Sequence, residues 1–265
     1  DEVLLRHHRR YFQTVVRYLP EPYVSMDTNR LTVLHFAVHG LAILEALELL
    51  DREAAIRWVY SMQLRSGGFR GGSFLGSTDG SSAAATYDQM HIAMTYCALL
   101  ILKTLGDDLG GVDKAGLLAK MRGMQTPEGS FRALEMPSES DMRFLYCACA
   151  ISHVLDDWTA IDIDRATSFV RRSRGYDGGF GLHPWQESHG GATYCALASL
   201  VLMGQVDDVL DRDGLDLLLE WCVSRQKRGF NGRGNKDEDT CYSFWVGATL
   251  ETTTALANQV AGVTE

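Results

Sequence analysis

The sequence predicts an all-α protein with the architecture of an α/α toroid, a barrel of helical hairpins. Three observations predict it: a repeat of about 50 residues, an almost wholly apolar segment in each repeat, and amphipathic segments between those. We find no run of alternating polar and apolar residues that would indicate a β-strand. A linear solenoid is the alternative, but it would leave one face of each inner helix in water.

The inner helices are predicted from four related segments, MTYCALLIL, FLYCACAIS, ATYCALASL and SFWVGATLE, at 94–102, 144–152, 192–200 and 243–251. The repeat aligns one aromatic residue from each segment, and these are spaced by 50, 48 and 50 residues: Tyr96, Tyr146, Tyr194 and Phe244. Each segment is apolar on nearly all sides and rich in small residues. That composition is typical of a helix buried on most sides.

The outer helices are predicted where apolar residues recur at helical spacing opposite charged ones, at 51–63, 112–125, 162–172 and 212–226. Each of them runs into a glycine–aromatic loop, at 66–74, 127–133, 176–184 and 227–234. Glycine provides the positive φ that ends a helix. We expect the aromatic side chain of each loop to pack into the neighbouring repeat.

An earlier pair of segments, Glu2–Leu19 and Thr28–Leu50, predicts a further helical hairpin that turns at Pro20 and Pro22. The net charge of −9 argues against nucleic-acid binding. No apolar run is long enough to span a bilayer, and the N-terminus does not resemble a signal peptide. None of the six cysteines forms a CxxC pair, which favours buried thiols in a reducing, cytoplasmic compartment.

The repeat places one polar residue at the start of each inner helix, five residues before its aromatic: His91, Asp141, His189 and Asp239. Free N–H groups and the helix dipole favour anions at this end of a helix. The sequence therefore predicts a polar, anion-binding mouth above an apolar interior.

Cys241 is the cysteine that departs from the repeat. Cys97, Cys147 and Cys195 share one register deep in their helices and are expected to be buried. Cys241 lies one turn nearer the mouth, two residues after Asp239. A carboxylate and a thiol there are suitable zinc ligands, and an open position would admit a substrate thiol. The alternative is an N-capping aspartate followed by an ordinary thiol.

Arg233, Lys236 and His189 are expected at the same mouth, where two cations and a histidine would suit a diphosphate. Tyr242 and Trp245 would line a dry interior below it, although plain core packing is the alternative. Together these features suggest an amphiphile such as an isoprenyl diphosphate. Asp107 and Asp108 in GDDLGG resemble a DDxxD magnesium motif of terpene cyclases, but they follow the far end of an inner helix and are interpreted as a turn.

The segments DTCYSFWVGATL, SHGGATYC, SDMRFLYCA and YDQMHIAMTYC, with the Gly-Gly-Phe loops, resemble the β subunits of the protein prenyltransferases. The resemblance extends over most of the chain, from about Leu5 to Leu250. DTCYSFWVGAT after GRGNK, together with DMRF and ESHGG, is most similar to the type I geranylgeranyltransferase branch.

This resemblance implies an α/α barrel that forms a heterodimer with a crescent-shaped α subunit. It implies transfer of geranylgeranyl from geranylgeranyl diphosphate to the cysteine of a C-terminal CaaX motif, with Leu favoured last. The substrates implied are proteins such as Rho- and Rac-type small GTPases. One zinc ion per β subunit is implied as cofactor, without a requirement for magnesium.

The resemblance also implies roles for individual residues. Asp239, Cys241 and Tyr242 are the implied catalytic residues, with Asp239 and Cys241 as zinc ligands. The implied diphosphate-binding residues are His189, Arg233, Lys236 and Tyr242. The implied lipid-pocket residues are Thr32, Phe36 and Trp245, and a bulky Trp replaces Thr32 in the farnesyl branch. The residues expected around the CaaX C-terminus are His91 and Arg143.

One departure from the family concerns its third zinc ligand, a histidine in a further hairpin, which has no match in this sequence. A lysine that stands in for magnesium in this branch is missing as well. We therefore expect residues 1–265 to form one β-subunit domain that is incomplete at its C-terminal end and lacks its last hairpin. The alternative is an inactive, truncated relative that binds the α subunit or lipid without turnover.

Overall fold

A computed structural model describes residues 2–73 and 88–260, and within these ranges the chain forms ten α-helices. They are α1 (Glu2–Arg17), α2 (Arg30–Ile43), α3 (Arg52–Ser61), α4 (Ile92–Thr104), α5 (Lys114–Met124), α6 (Met142–Leu155), α7 (Ile163–Arg172), α8 (Gly190–Met203), α9 (Arg212–Val223) and α10 (Thr240–Val260). The four predicted inner helices are confirmed as α4, α6, α8 and α10. The four predicted outer helices are confirmed as α3, α5, α7 and α9.

The chain divides into two compact units. The first consists of Asp1–Met124 and Ala133–Ser138, and in it α2 packs against α1 and α4 while α3 packs against α4. The second consists of Gln125–Arg132 and Glu139–Glu265, and in it α8 packs against α6, α7 and α10 while α9 packs against α10.

Inner and outer helices differ in burial as their sequences predict. Leu99 and Leu102 of α4 and Leu145 of α6 are among the fully buried side chains of the inner helices. The outer helix α7 buries Phe169 and Val170 on one face and carries its charged residues on the other. Each such buried side chain contributes about 1.5–3 kcal/mol to folding.

Every outer helix begins at an aspartate, and the four are Asp51, Asp113, Asp162 and Asp211. In each case the carboxylate accepts a hydrogen bond from the backbone N–H three residues later, at 2.9–3.1 Å. An N-cap of this kind stabilises a helix by about 1 kcal/mol. The first turn of each outer helix is therefore capped by a residue of its own segment.

The glycine–aromatic loops also repeat in the structure. The phenylalanine of each loop forms a bridge with a residue one to three positions after the end of the preceding outer helix: Gln63–Phe69, Gln125–Phe131, Arg174–Phe180 and Gln226–Phe230. Phe69, Phe131 and Phe180 are fully buried, whereas Phe230 is half-buried. Phe74 is the last residue of the predicted loop 66–74, and Tyr87 is the first residue of the segment YDQMHIAMTYC. Both lie outside the described ranges.

Two details differ from the sequence prediction. The segment expected to be one helix over Thr28–Leu50 is broken: 3-10 turns occupy Glu21–Asn29 and Leu47–Leu49, and only α2 is α-helical. The helix ends because Glu45 adopts a left-handed conformation with φ 50°. A two-residue antiparallel pair, β1 (Phe131–Arg132) with β2 (Ser140–Asp141), also forms, and it is too short to leave an alternating pattern.

Asp107 and Asp108 form a turn after α4, as the sequence predicted. Asp107 Oδ1 accepts hydrogen bonds from the Leu109 N–H and the Tyr60 hydroxyl, both at 2.7 Å. Asp108 Oδ1 accepts from the Gly110 N–H at 2.7 Å. Each carboxylate thus accepts the backbone N–H two residues ahead within the turn, and that of Asp107 also binds Tyr60 of α3.

Candidate active site

The structure places all four predicted polar residues at the starts of inner helices. Three of them, in the second unit, accept a hydrogen bond from the backbone N–H two residues later: Asp141 from Arg143 at 2.8 Å, His189 from Gly191 at 3.1 Å and Asp239 from Cys241 at 2.9 Å. His91, in the first unit, precedes α4 without such a side-chain bond. The register read from the repeat is therefore confirmed at the level of the backbone.

His189 and Tyr242 form the centre of the site in the second unit. The Tyr242 hydroxyl lies 3.0 Å from His189 Nε2. His189 Nδ1 accepts the Gly191 N–H, so the neutral ring carries its proton on Nε2 and donates it to the Tyr242 oxygen. Burial and the nearby Arg233 charge lower the pKa of His189, which favours this neutral form. The Tyr242 proton is consequently directed away from His189.

Arg233 lies at the edge of a cavity of about 240 Å³ lined by Leu182, Gln186, Glu187, His189 and Arg233. Its guanidinium group forms an ion pair with Glu187 at 3.0 Å. The Gly190 N–H donates to the Gly232 carbonyl at 2.7 Å, which fastens the Arg233 loop to the start of α8. A Cβ atom at position 232 would collide with the Tyr242 ring, so glycine is required for this approach.

Lys236 is exposed on the same loop. Its backbone carbonyl accepts a hydrogen bond from the side chain of the buried Asn231 at 3.3 Å. The structure therefore brings His189, Tyr242 and Arg233 together, while it places the Lys236 side chain in solvent. A role of Lys236 toward a diphosphate stays a prediction.

Cys241 and Asp239 form an exposed pair at the start of α10. Hydrogen bonds from the backbone N–H and the thiol of Cys241 lower the pKa of Asp239. Partial burial and the Asp239 carboxylate raise the pKa of Cys241. Cys97, Cys147 and Cys195 are buried, as predicted, and so are Cys149 and Cys222, whereas Cys241 is exposed.

The Asp239–Cys241 pair fits two positions of a zinc site, because carboxylate and thiolate are both zinc donors and here they are in contact. Within residues 2–73 and 88–260, no group of three His, Cys, Asp or Glu side chains is arranged to hold a metal ion. The described residues therefore provide two of the expected zinc ligands, Asp239 and Cys241.

The two residues predicted to contact a CaaX terminus lie in different units. In the second unit, Arg143 donates to Asp141 at 2.6 Å and to Glu139 at 3.0 Å. These bonds and charges raise the pKa of Arg143 and fix its guanidinium group. In the first unit, His91 is half-buried, and its backbone N–H donates to the Phe69 carbonyl at 3.2 Å.

The predicted lipid-pocket residues are also divided between the units. In the first unit, Thr32 donates to the Met94 sulfur at 3.4 Å, and Phe36 is 63% exposed. In the second unit, the half-buried Trp245 packs its ring 5.2 Å from those of Tyr194 and Phe244. Their roles toward a lipid stay predictions.

Sequence reasoning missed Glu187, the partner of Arg233, although this residue lies two positions before His189 in the ESHGG motif.

Sequence reasoning also missed that the aromatic residues of the repeat contact one another. The Tyr146 and Tyr194 rings are 5.5 Å apart, and those of Tyr194 and Phe244 are 5.1 Å apart. The equal spacing of these residues in the repeat was the signal that could have predicted this aromatic row.

Residues 3–261 match the family model described as the prenyltransferase alpha-alpha toroid domain. The chain belongs to this prenyltransferase family. The match confirms the predicted α/α-toroid fold class. A Candida albicans protein geranylgeranyltransferase-I complexed with GGPP has a similar fold, with a TM-score of 0.85 over 97% of this chain and 79% of the other, at 24% identity.

Relatives identify the branch of the prenyltransferase family. The chain is 42% identical to the geranylgeranyl transferase type-1 subunit beta of Arabidopsis thaliana, covering 92% of this chain and 70% of the relative. It is 40% identical to the Dictyostelium discoideum subunit of the same name, covering 91% and 74%.

The Arabidopsis thaliana protein farnesyltransferase subunit beta is 33% identical, covering 90% of this chain and 47% of the relative. The two relatives named as type-1 subunits, at 42% and 40% identity, confirm the prediction of a prenyl-transferring enzyme of the type I branch. Among the described residues, no helix has the length and apolar character needed to cross a membrane.

Proposed function

We propose that this chain is the catalytic β subunit of a heterodimeric protein geranylgeranyltransferase type I. It transfers geranylgeranyl from geranylgeranyl diphosphate to the cysteine of a C-terminal CaaX motif, in proteins such as Rho- and Rac-type small GTPases of the cytoplasm. The observation that carries the proposal is the cluster of His189, Tyr242 and Arg233 beside Cys241. The names of the relatives support the same reaction.

In this reaction the leaving group is a diphosphate. Arg233 would provide a positive charge, and Tyr242, oriented by His189, would provide a hydrogen-bond donor to bind it. Arg233 offers a planar, permanently charged group suited to phosphate oxygens. His189 donates to the Tyr242 oxygen, which leaves the phenolic proton of Tyr242 to bind the departing diphosphate. Lys236, on the exposed part of the same loop, adds a second cation when the substrate is bound.

Zinc is the proposed cofactor, held by Asp239 and Cys241 with a further ligand outside the described donor set. When bound, zinc favours the deprotonated form of a substrate thiol. The contribution of the chain itself is to hold the two metal donors in position. The Asp239 carboxylate accepts the Cys241 N–H, so both donors are held at the first turn of α10. His91 and Arg143 are proposed to contact the CaaX terminus, and Thr32, Phe36 and Trp245 the lipid.

The test is a transfer assay with the chain co-expressed with a prenyltransferase α subunit, using geranylgeranyl diphosphate and a peptide that ends in a CaaX sequence with Leu last. We expect Cys241→Ala to abolish transfer and zinc retention. Cys195→Ala, which alters a buried cysteine of the repeat, is the matched control and should retain both. Full transfer by Cys241→Ala with zinc still bound would refute the assignment.

A second candidate is a non-catalytic relative that binds the α subunit or the lipid without turnover. The observation in its favour is that the described residues provide two adjacent metal donors rather than three. Metal analysis separates the two candidates. Stoichiometric zinc in the purified complex supports the enzyme, whereas lipid binding without zinc and without transfer supports the second candidate.

A further inference from the structure

Glu187 is a carboxylate inside a site that is proposed to bind an anion. It lines the 240 Å³ cavity together with His189 and Arg233. Its Oε2 lies 3.0 Å from Arg233 Nη1, and no step of the proposed reaction uses it. A negative charge at this position opposes the binding of a diphosphate, so its presence calls for a physical account.

We propose that Glu187 competes with diphosphate for Arg233 and thereby lowers the affinity of the site for the diphosphate product. The inference rests on the proposed function and adds a residue that sets the affinity of its anion site. Without ligand, Glu187 holds the Arg233 guanidinium group at the edge of the cavity. When a diphosphate enters, Arg233 exchanges its carboxylate partner for phosphate oxygens, and when the product leaves, Glu187 takes Arg233 back.

The exposure of the pair supports an exchange of this kind. The side chains of Arg233 and Glu187 are 43% and 56% exposed, and ion pairs so open to water are weak. A diphosphate carries more charge than a carboxylate and offers several oxygens to one guanidinium group, so it displaces Glu187 readily. Both residues also act on the pKa of His189, which Arg233 lowers and Glu187 raises, in keeping with their position beside that ring.

The backbone around Glu187 is held by other bonds. Ser188 donates to Asp177 Oδ1 at 2.5 Å, and the indole N–H of Trp221 donates to Asp177 Oδ2 at 3.0 Å. The Gly190 N–H binds the Gly232 carbonyl. Removal of the Glu187 charge should therefore leave the loop in place, which makes a substitution there informative.

The experiment measures binding of inorganic pyrophosphate to the full chain, expressed with the α subunit, by isothermal titration calorimetry at low and at high salt. We expect Glu187→Gln to bind pyrophosphate about two- to fivefold more tightly at low salt, the range typical of an exposed ion pair. The gain should shrink at high salt, where charges are screened. It should also be lost in an Arg233→Gln background.

Two matched variants control for charge and for folding. Glu220→Gln removes the same charge from an exposed position on α9 and should bind like the wild type. Glu187→Asp keeps the charge and should also lack the gain. Thermal melting of each variant checks that the fold is intact.

The outcomes separate this inference from the proposed function. If Arg233→Gln and His189→Ala bind pyrophosphate as tightly as the wild type, the proposed diphosphate site is wrong and the role of Glu187 falls with it. If those variants weaken binding while Glu187→Gln shows no gain, the role of Glu187 alone is wrong. An equal gain in Glu220→Gln would overturn it as well, because the effect would then follow net charge.

Discussion

The two ends of the inner helices differ in which feature the repeat preserves. At the C-terminal end, equivalent positions share one backbone conformation: Gly106, Asp156 and Gly204 are left-handed, with φ of 80°, 52° and 68°. At the N-terminal end, equivalent residues share a capping position but differ in chemistry, as Asp141, His189 and Asp239 do. The C-terminal end therefore repeats a backbone conformation, whereas the N-terminal end repeats a capping position and varies the side chain.

A second comparison sharpens this difference. The outer helices also begin with capping residues, but all four are aspartates whose carboxylates accept the backbone N–H three residues ahead in their own chain segment. The inner caps bond two residues ahead, and His189 additionally contacts Tyr242 from another helix. A cap thus marks a candidate functional residue when its own side chain also meets a side chain from another helix, as that of His189 meets Tyr242.

The largest effect is expected where a cap is also a proposed metal ligand. Asp239→Ala should reduce transfer activity by about 100-fold or more, since even the residues around metal ligands matter by 10–100-fold. Asp239→Asn keeps the cap and should still lose zinc, which metal analysis would detect. Wild-type zinc content and activity in Asp239→Ala would reduce Asp239 to a structural cap.

Tyr242→Phe should reduce the rate of transfer by about 10- to 100-fold, because a hydrogen bond to a charged group contributes about 1.5–3 kcal/mol. The phenyl ring would still pack against Gly232, so the fold should be kept. Single-turnover kinetics would measure the rate. Tyr194→Phe, which removes a hydroxyl 3.5 Å from that of Tyr146, is the control and should have a smaller effect.

Substitution of a capping aspartate of an outer helix should lower stability without changing transfer activity. Asp211→Ala removes the acceptor of the Gly214 N–H and should lower the free energy of unfolding by about 1 kcal/mol. Asp211→Asn should retain most of that stability. Chemical denaturation measures both, and transfer activity should be unchanged; a large loss of activity would contradict a purely structural role.

The smallest change in stability is expected at the C-terminal ends of the inner helices. Asp156→Gly should raise the free energy of unfolding by about 0.5–1 kcal/mol, because glycine adopts the left-handed conformation without strain. Gly204→Ala is the reverse test and should destabilise by a similar amount. A Cβ atom there meets nothing within 4 Å, so the effect is one of backbone conformation alone. Thermal melting would detect both shifts.

Much of the architecture could be predicted because its causes are local. The repeat of Tyr96, Tyr146, Tyr194 and Phe244 located the inner helices and the polar residues at their starts. It also separated Cys241 from the buried cysteines, which the structure confirmed. The less regular N-terminal segment was predicted less well, since the left-handed Glu45 that ends α2 leaves no clear signal in the sequence.

The sequence by itself determined the helices, their register and the set of chemically competent residues, because periodicity and capping act within a few residues. The tertiary structure decided which of these residues meet. Tyr242 reaches His189 across 53 positions, and Arg233 pairs with Glu187 across 46. Such partners depend on how α8, α10 and their loops pack against one another, and no local pattern encodes that packing.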